Sequence, residues 1–208
     1  VSVRGDNTGS ISNLASGTMS SGTSSAVLID GDNSGTVTNA GSIVSRDYDG
    51  IAIRGDNSGT IRNTATGSVT SVYPAVTVRG DNTGLIENAG QLTSTNIAGV
   101  SVMGANAKDI TNTATGTITS TDGNGISVMG RARWQADEPE APAVAANSGT
   151  ITNAGSIKAG ASGMLVGTGV RFLEGAVEAA ELEDSTLANS GTITNAAGAS
   201  IEAGETGI

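Results

Sequence analysis

Apolar and polar residues alternate with a period of two in three short runs, and this trio recurs along the chain. The first run is Ile51-Ala52-Ile53, matched by Val76-Thr77-Val78, Val100-Ser101-Val102 and Ile126-Ser127-Val128. The second is Gly35-Thr36-Val37-Thr38-Asn39, matched by Gly59-Thr60-Ile61-Arg62-Asn63. The third is Gly41-Ser42-Ile43-Val44-Ser45, matched by Gly67-Ser68-Val69-Thr70-Ser71. A period of two predicts strands with one buried face. Gly and Asn occupy the junctions, where turns favour positive φ. No segment of residues 1–129 shows a helical period.

The repeat is marked by Asn13, Asn39, Asn63, Asn88, Asn112, Asn153 and Asn195, at intervals of 26, 24, 25, 24, 41 and 42 residues. A period in the twenties is the signature of a solenoid, whose repeats bury apolar surface only by stacking. Three strands per repeat predict an all-β fold: one three-sided parallel β-helix, or solenoid, of about seven coils spanning residues 1–208. The expected interior rows are Val3, Ile29, Ile53, Val78, Val102, Val128 and Val166; Ile11, Val37, Ile61, Ile86, Ile110, Ile151 and Ile193; and Met19, Ile43, Val69, Leu92, Ile118, Ile157 and Ile201. Seven coils at a strand spacing of ~4.8 Å give a rod about 34 Å long. Both ends are expected to be bare sheet edges, so either the native chain continues past Val1 and Ile208 or the ends meet other copies.

Two asparagine columns accompany these rows. One holds the seven markers above. The other is Asn7, Asn33, Asn57, Asn82, Asn106, Asn147 and Asn189. Amides stacked one strand apart can hydrogen-bond along the axis and satisfy turn backbone, so a structural role is expected for both columns.

Composition narrows the chemistry. There are 31 Gly, one Trp, one Phe, two Tyr, and neither Cys nor His. Without Cys there is no disulfide framework and no thiolate metal site. Without His the commonest general base and metal ligand is missing, so Gly31-Asp32-Asn33-Ser34-Gly35 cannot hold a Ser-His-Asp triad. The net charge of −10 argues against nucleic acid and anionic membrane surfaces as partners. No apolar run approaches the ~20 residues needed to span a bilayer, so no direct membrane insertion is expected, and no signal peptide is visible.

Strings such as Asn147-Ser148-Gly149-Thr150-Ile151-Thr152-Asn153-Ala154-Gly155-Ser156-Ile157 resemble the passenger repeats of bacterial autotransporter adhesins. The likeness covers nearly the whole chain outside two insertions. It implies a secreted, right-handed β-helix on a Gram-negative cell surface, usually joined to an outer-membrane barrel that this sequence does not contain. It identifies an architecture more than an activity, because such repeats carry many activities as stalks.

The two insertions expand one corner, at about Arg131–Ala146 and Thr168–Ala188. Glu174–Asp184 has helix-forming composition, with Leu173, Val177 and Ala180 at helical spacing. Insertions of this kind emerge on one face of a solenoid, often the binding face. Arg133, Trp134, Phe172 and Leu173 are therefore candidate partner-binding residues. The competing reading, which is favoured, is that Trp134 and Phe172 pack together to anchor the loops.

Arg-Gly-Asp occurs three times, as Arg4-Gly5-Asp6, Arg54-Gly55-Asp56 and Arg79-Gly80-Asp81. It resembles the tripeptide that integrins recognise, but it holds one repeat position, where the turn requires Gly. Asp30 and Met103 replace Arg in other coils. Asp6, Asp32, Asp56 and Asp81 should stack along one edge, their repulsion offset by Arg4, Arg54 and Arg79. No cofactor is expected; calcium held by that stack is the one candidate. Asp47 and Asp49 flank Tyr48 on a turn, with Asp122 on the same side; paired carboxylates hydrolyse or bind sugars in many β-helical enzymes, but the spacing does not fix their separation, and the favoured reading is solvated turn acids.

The expected function is that of an extracellular, adhesin-like solenoid: a stiff, non-enzymatic stalk or interaction module at the bacterial cell surface. Its partner would be a host or bacterial surface protein or a glycan. The second reading is a structural subunit stacking end to end on further copies into a filament or sheath. The third is a polysaccharide-active β-helix enzyme.

Overall fold

The computed structural model describes residues 1–130, 146–167 and 189–208, together with the backbone of 172–173 and 176–177. The described residues form three parallel seven-stranded sheets and contain no helix. The first sheet stacks Ser2–Val3, Val27–Ile29, Ile51–Ile53, Val76–Val78, Ala98–Val102, Asn124–Val128 and Met164–Val166. The second stacks Ser10–Asn13, Thr36–Asn39, Thr60–Asn63, Leu85–Asn88, Asp109–Asn112, Thr150–Asn153 and Thr192–Asn195. The third stacks Thr18–Ser21, Ser42–Ser45, Ser68–Ser71, Gln91–Ser94, Thr117–Ser120, Ser156–Ala159 and Ser200–Ala203.

Each strand pairs with the strand one repeat away, so the chain winds as a three-sided β-solenoid. Five turns are described without a break. Two more turns, crossed by 131–145 and by 168–188, complete each sheet, so the count of uninterrupted turns falls short of the expected seven.

The predicted interior rows are the core. Ile29, Ile53, Val78, Val102 and Val128 are fully buried, as are Val37, Ile61, Ile110 and Ile151, and Ile43, Val69, Leu92, Ile118 and Ile157. Members in the outermost turns, such as Ile11, Met19, Ile193 and Ile201, are half-buried and pack against these. Burying a side chain of this size contributes about 1.5–3 kcal/mol, and β-branched residues suit the pleat. A fourth row supplements them. Val27, Ile51, Val76, Val100, Ile126 and Met164, the first inward residues of the first sheet, are also buried.

The chain before that row must be slim. A methyl at Gly99 would collide with Ile118 Cγ2, an interior side chain of the third sheet. Serines close the third sheet with unequal success. Ser45 and Ser71 donate their hydroxyls to the carbonyls of Ser24 and Tyr73 at 3.1 and 2.6 Å, whereas the equivalent buried hydroxyls of Ser94 and Ser120 have no partner.

The expectation of helix at Glu174–Asp184 is corrected at its start. Phe172–Leu173 pairs antiparallel with Ala176–Val177, so the backbone at 176–177 is strand. Gly175 lies inside that segment and lowers its helix propensity. The remaining residues of 174–184 lie outside the described residues.

Candidate functional site

Both asparagine columns form continuous hydrogen-bonded ladders. Asn7 Nδ2 donates to Asn33 Oδ1, and the pattern continues through Asn57, Asn82, Asn106 and Asn147 to Asn189, each step at 2.7 Å. The marker column runs likewise from Asn13 through Asn39, Asn63, Asn88, Asn112 and Asn153 to Asn195 at 2.7–2.9 Å. The second amide proton serves the turn: Asn39 Nδ2 also donates to Ser68 O at 3.0 Å, and Asn82 Nδ2 to Gly84 O at 3.0 Å. Asn satisfies both demands because its short amide offers two donors and an acceptor.

The Arg-Gly-Asp triplets serve the same stacking. Asp6 Oδ1 accepts the backbone N–H of Asp32, Asp32 that of Asp56, Asp56 that of Asp81, and Asp81 that of Ala105, at 2.8–2.9 Å. Each carboxylate thus ties its turn to the next. The glycines make room for this: a methyl at Gly80 would strike Asp56 Oδ1 and the Gly55 carbonyl. One of the three arginines pairs along its own repeat position. Arg54 Nη1 meets Asp30 Oδ1 at 2.8 Å, because these two residues hold one repeat position in successive turns. Among the described residues no group of three or more His, Cys, Asp or Glu side chains converges to hold a metal ion.

A groove of about 920 Å³ opens on the outer side of the first sheet. It is built where the corner leading into that sheet projects large side chains. Counted back from the first sheet, Tyr48, Tyr73 and Ile97 hold one repeat position in three successive turns, and all three line the groove. Tyr48 and Tyr73 are 50% and 42% exposed. Across the strands, Arg79 and Met103 follow Val76–Val78 and Ala98–Val102 and line it as well. Thr77, the outward residue of Val76–Val78, is buried at the same site. The outward residues here are small, with Ala52, Thr77 and Ser101 in register, and all three are buried.

Asp49 is the chemically distinctive member. It is only 8% exposed, and Thr77 Oγ1 donates to its Oδ1 at 3.2 Å. Burial pushes its carboxyl above the ordinary value; the Thr77 hydroxyl and the positive charges of Arg79 and Arg54 oppose the rise without cancelling it. The backbone that lines the groove at Ile97 is strained. Ile97 has φ 71°, and Ala98 N donates to Asn96 O across it, closing a three-residue turn. Positive φ is costly for a β-branched residue, and such strain concentrates at functional sites.

Of the acids singled out in the sequence, Asp47 and Asp49 line the groove with Tyr48, whereas Asp122 is exposed and does not. Asp47 and Asp122 share a repeat position three turns apart, about 14 Å along the axis, beyond the reach of a carboxylate pair. Arg79, noted for its triplet, belongs to the groove and is an exposed residue. Tyr73, Thr77 and Ile97 carried no separate signal in the sequence, since each reads as an ordinary repeat residue, and Met103 was noted only for standing where other coils have Arg. Arg133 and Trp134 lie outside the described residues, as do the side chains of Phe172 and Leu173.

The fold and groove define a three-sided β-solenoid repeat protein with a concave surface on one face. No protein-family model, no curated protein and no solved structure matches the chain.

Proposed function

We propose that this chain is a non-enzymatic, adhesin-like interaction module: a stiff solenoid stalk, displayed outside a bacterial cell, that presents one face to a surface protein or glycan. The observation that carries the reading is the pair of unbroken asparagine ladders, which lock every turn to the next. Rods reinforced in this way transmit position and load rather than change shape. The groove beside Tyr48 and Tyr73, at the corner loops leading into the first sheet, gives the rod a concave surface, and binding residues concentrate on loops held by a rigid scaffold.

The test is to measure solution scattering of the chain and its retention, fluorescently labelled, on panels of mammalian and bacterial cells. A rigid elongated particle that binds saturably to a cell type is the expected result. A particle that binds no cell, or that releases reducing ends from polysaccharides, overturns the reading. Elongation with rising concentration would favour the filament instead.

A further inference from the structure

We infer that the groove lined by Tyr48, Tyr73, Asp49 and Arg79 is a binding site for a neutral oligosaccharide; the inference deepens the interaction-module reading and rests on it. The argument begins with shape. A cavity of about 920 Å³ is of the size that holds a short chain of sugar rings.

The lining matches the two surfaces of a sugar. A pyranose has faces rich in C–H bonds and a rim of hydroxyls that both donate and accept. Tyr48 and Tyr73 repeat at one position in neighbouring turns and are half exposed, so both offer aromatic surface to the groove. Ile97, Pro74 and Met103 extend the apolar lining. For the rim, Asp49 and Asp47 supply carboxylate acceptors and Arg79 supplies donors. Asp49 is held nearly buried with one hydroxyl partner at Oδ1, a rigid acceptor directed by Thr77.

Other ligand classes fit less well. Two carboxylates against one guanidinium, on a chain of net charge −10, disfavour sialylated, sulfated or phosphorylated ligands. An extended peptide would seek a free sheet edge, but Val76–Val78 is already paired on both sides. The strained Ile97 turn is a second and independent mark of the site: this backbone accepts an unfavourable φ where it borders the groove.

The probe is an array of neutral, sialylated and sulfated oligosaccharides, followed by calorimetric titration of the neutral glycan that the chain retains best. Tyr48→Ala and Tyr73→Ala remove exposed rings, and their melting temperatures check that the solenoid is intact. Leu14→Ala, at an exposed residue outside the groove, is the control. The expected result is a neutral glycan bound equally by wild type and Leu14→Ala, with affinity at least tenfold lower in each tyrosine variant and reduced in Arg79→Ala. Retention of only anionic glycans, of none, or of a neutral glycan with affinity unchanged by the tyrosine variants overturns the inference. Cell binding that survives both tyrosine variants overturns the sugar groove while leaving the interaction module standing. Loss of all cell binding by the wild-type chain overturns the module itself.

Discussion

Asn57 donates its side-chain N–H to Asn82 Oδ1 at 2.7 Å, and neither side chain is exposed to solvent. Asn82 in turn gives its own two protons to Asn106 Oδ1 and Gly84 O. Asn82→Asp would set a buried oxygen against two acceptors, with no donor left to supply. The expected loss is about 3 kcal/mol or more, read as a lower midpoint in urea unfolding. An unchanged midpoint would show that the ladder is incidental to stability.

The Asp56 carboxylate is predicted to be structural. Asp56→Ala removes the acceptor for the Asp81 N–H and should cost about 1 kcal/mol. Gly80→Ala should cost more, about 2 kcal/mol or beyond, because its methyl meets both Asp56 Oδ1 and Gly55 backbone. Thermal unfolding orders the two. With its carboxylates engaged along the rod, the chain should not be captured by immobilised integrin. Capture that a soluble Arg-Gly-Asp peptide competes away would reverse this assignment.

Ser71 and Ser94 are neighbours in register but differ in their hydrogen bonds. Ser71→Ala loses the bond to Tyr73 O and should destabilise by about 1 kcal/mol. Ser94→Ala removes a buried hydroxyl without a partner and should be neutral, or stabilising by up to about 1 kcal/mol. Two denaturation curves against wild type decide it, and equal losses would contradict the hydrogen-bond assignment.

Asp49 gives a pH dependence with a definite sign. Its carboxyl titrates above the ordinary 3.8, so the folded chain holds the proton more tightly than the unfolded one. Below 3.8 both states are protonated and this group imposes no cost. Stability falls as pH rises from 3.8 through the raised value, and the loss is complete above it. Asp49→Asn keeps an acceptor for the Thr77 hydroxyl and carries no charge. Its melting temperature should match wild type near pH 3 and exceed it at pH 7. A difference that does not change with pH would refute the burial effect.

Much of the fold was legible because it repeats. Ile61 could be placed in the interior from its alternation with Thr60 and Arg62 and from its recurrence as Ile86 and Ile110. Asn57 and Asn82 could be placed in a ladder from spacing alone, since a regular coil puts equivalent residues one strand apart. The groove was not legible in the same way. Asp47, Tyr48 and Asp49 stood out as a charged turn, but Tyr73, Thr77 and Ile97 each conform to the repeat. Only their alignment across three turns makes a cavity.

The sequence by itself determined the class of architecture, the interior rows, both ladders and the repeat position of each Arg-Gly-Asp. These follow from periodicity, which needs no knowledge of distance. Tertiary structure decided which charges pair, with Arg54 meeting Asp30 and the aspartates binding backbone. It also decided that Asp49 is buried while Asp47 is exposed, and that strand begins again at Ala176–Val177. Those outcomes depend on how corners of unequal length bring side chains from different turns together. That is a matter of angstroms across the stack, and one-dimensional spacing does not contain it.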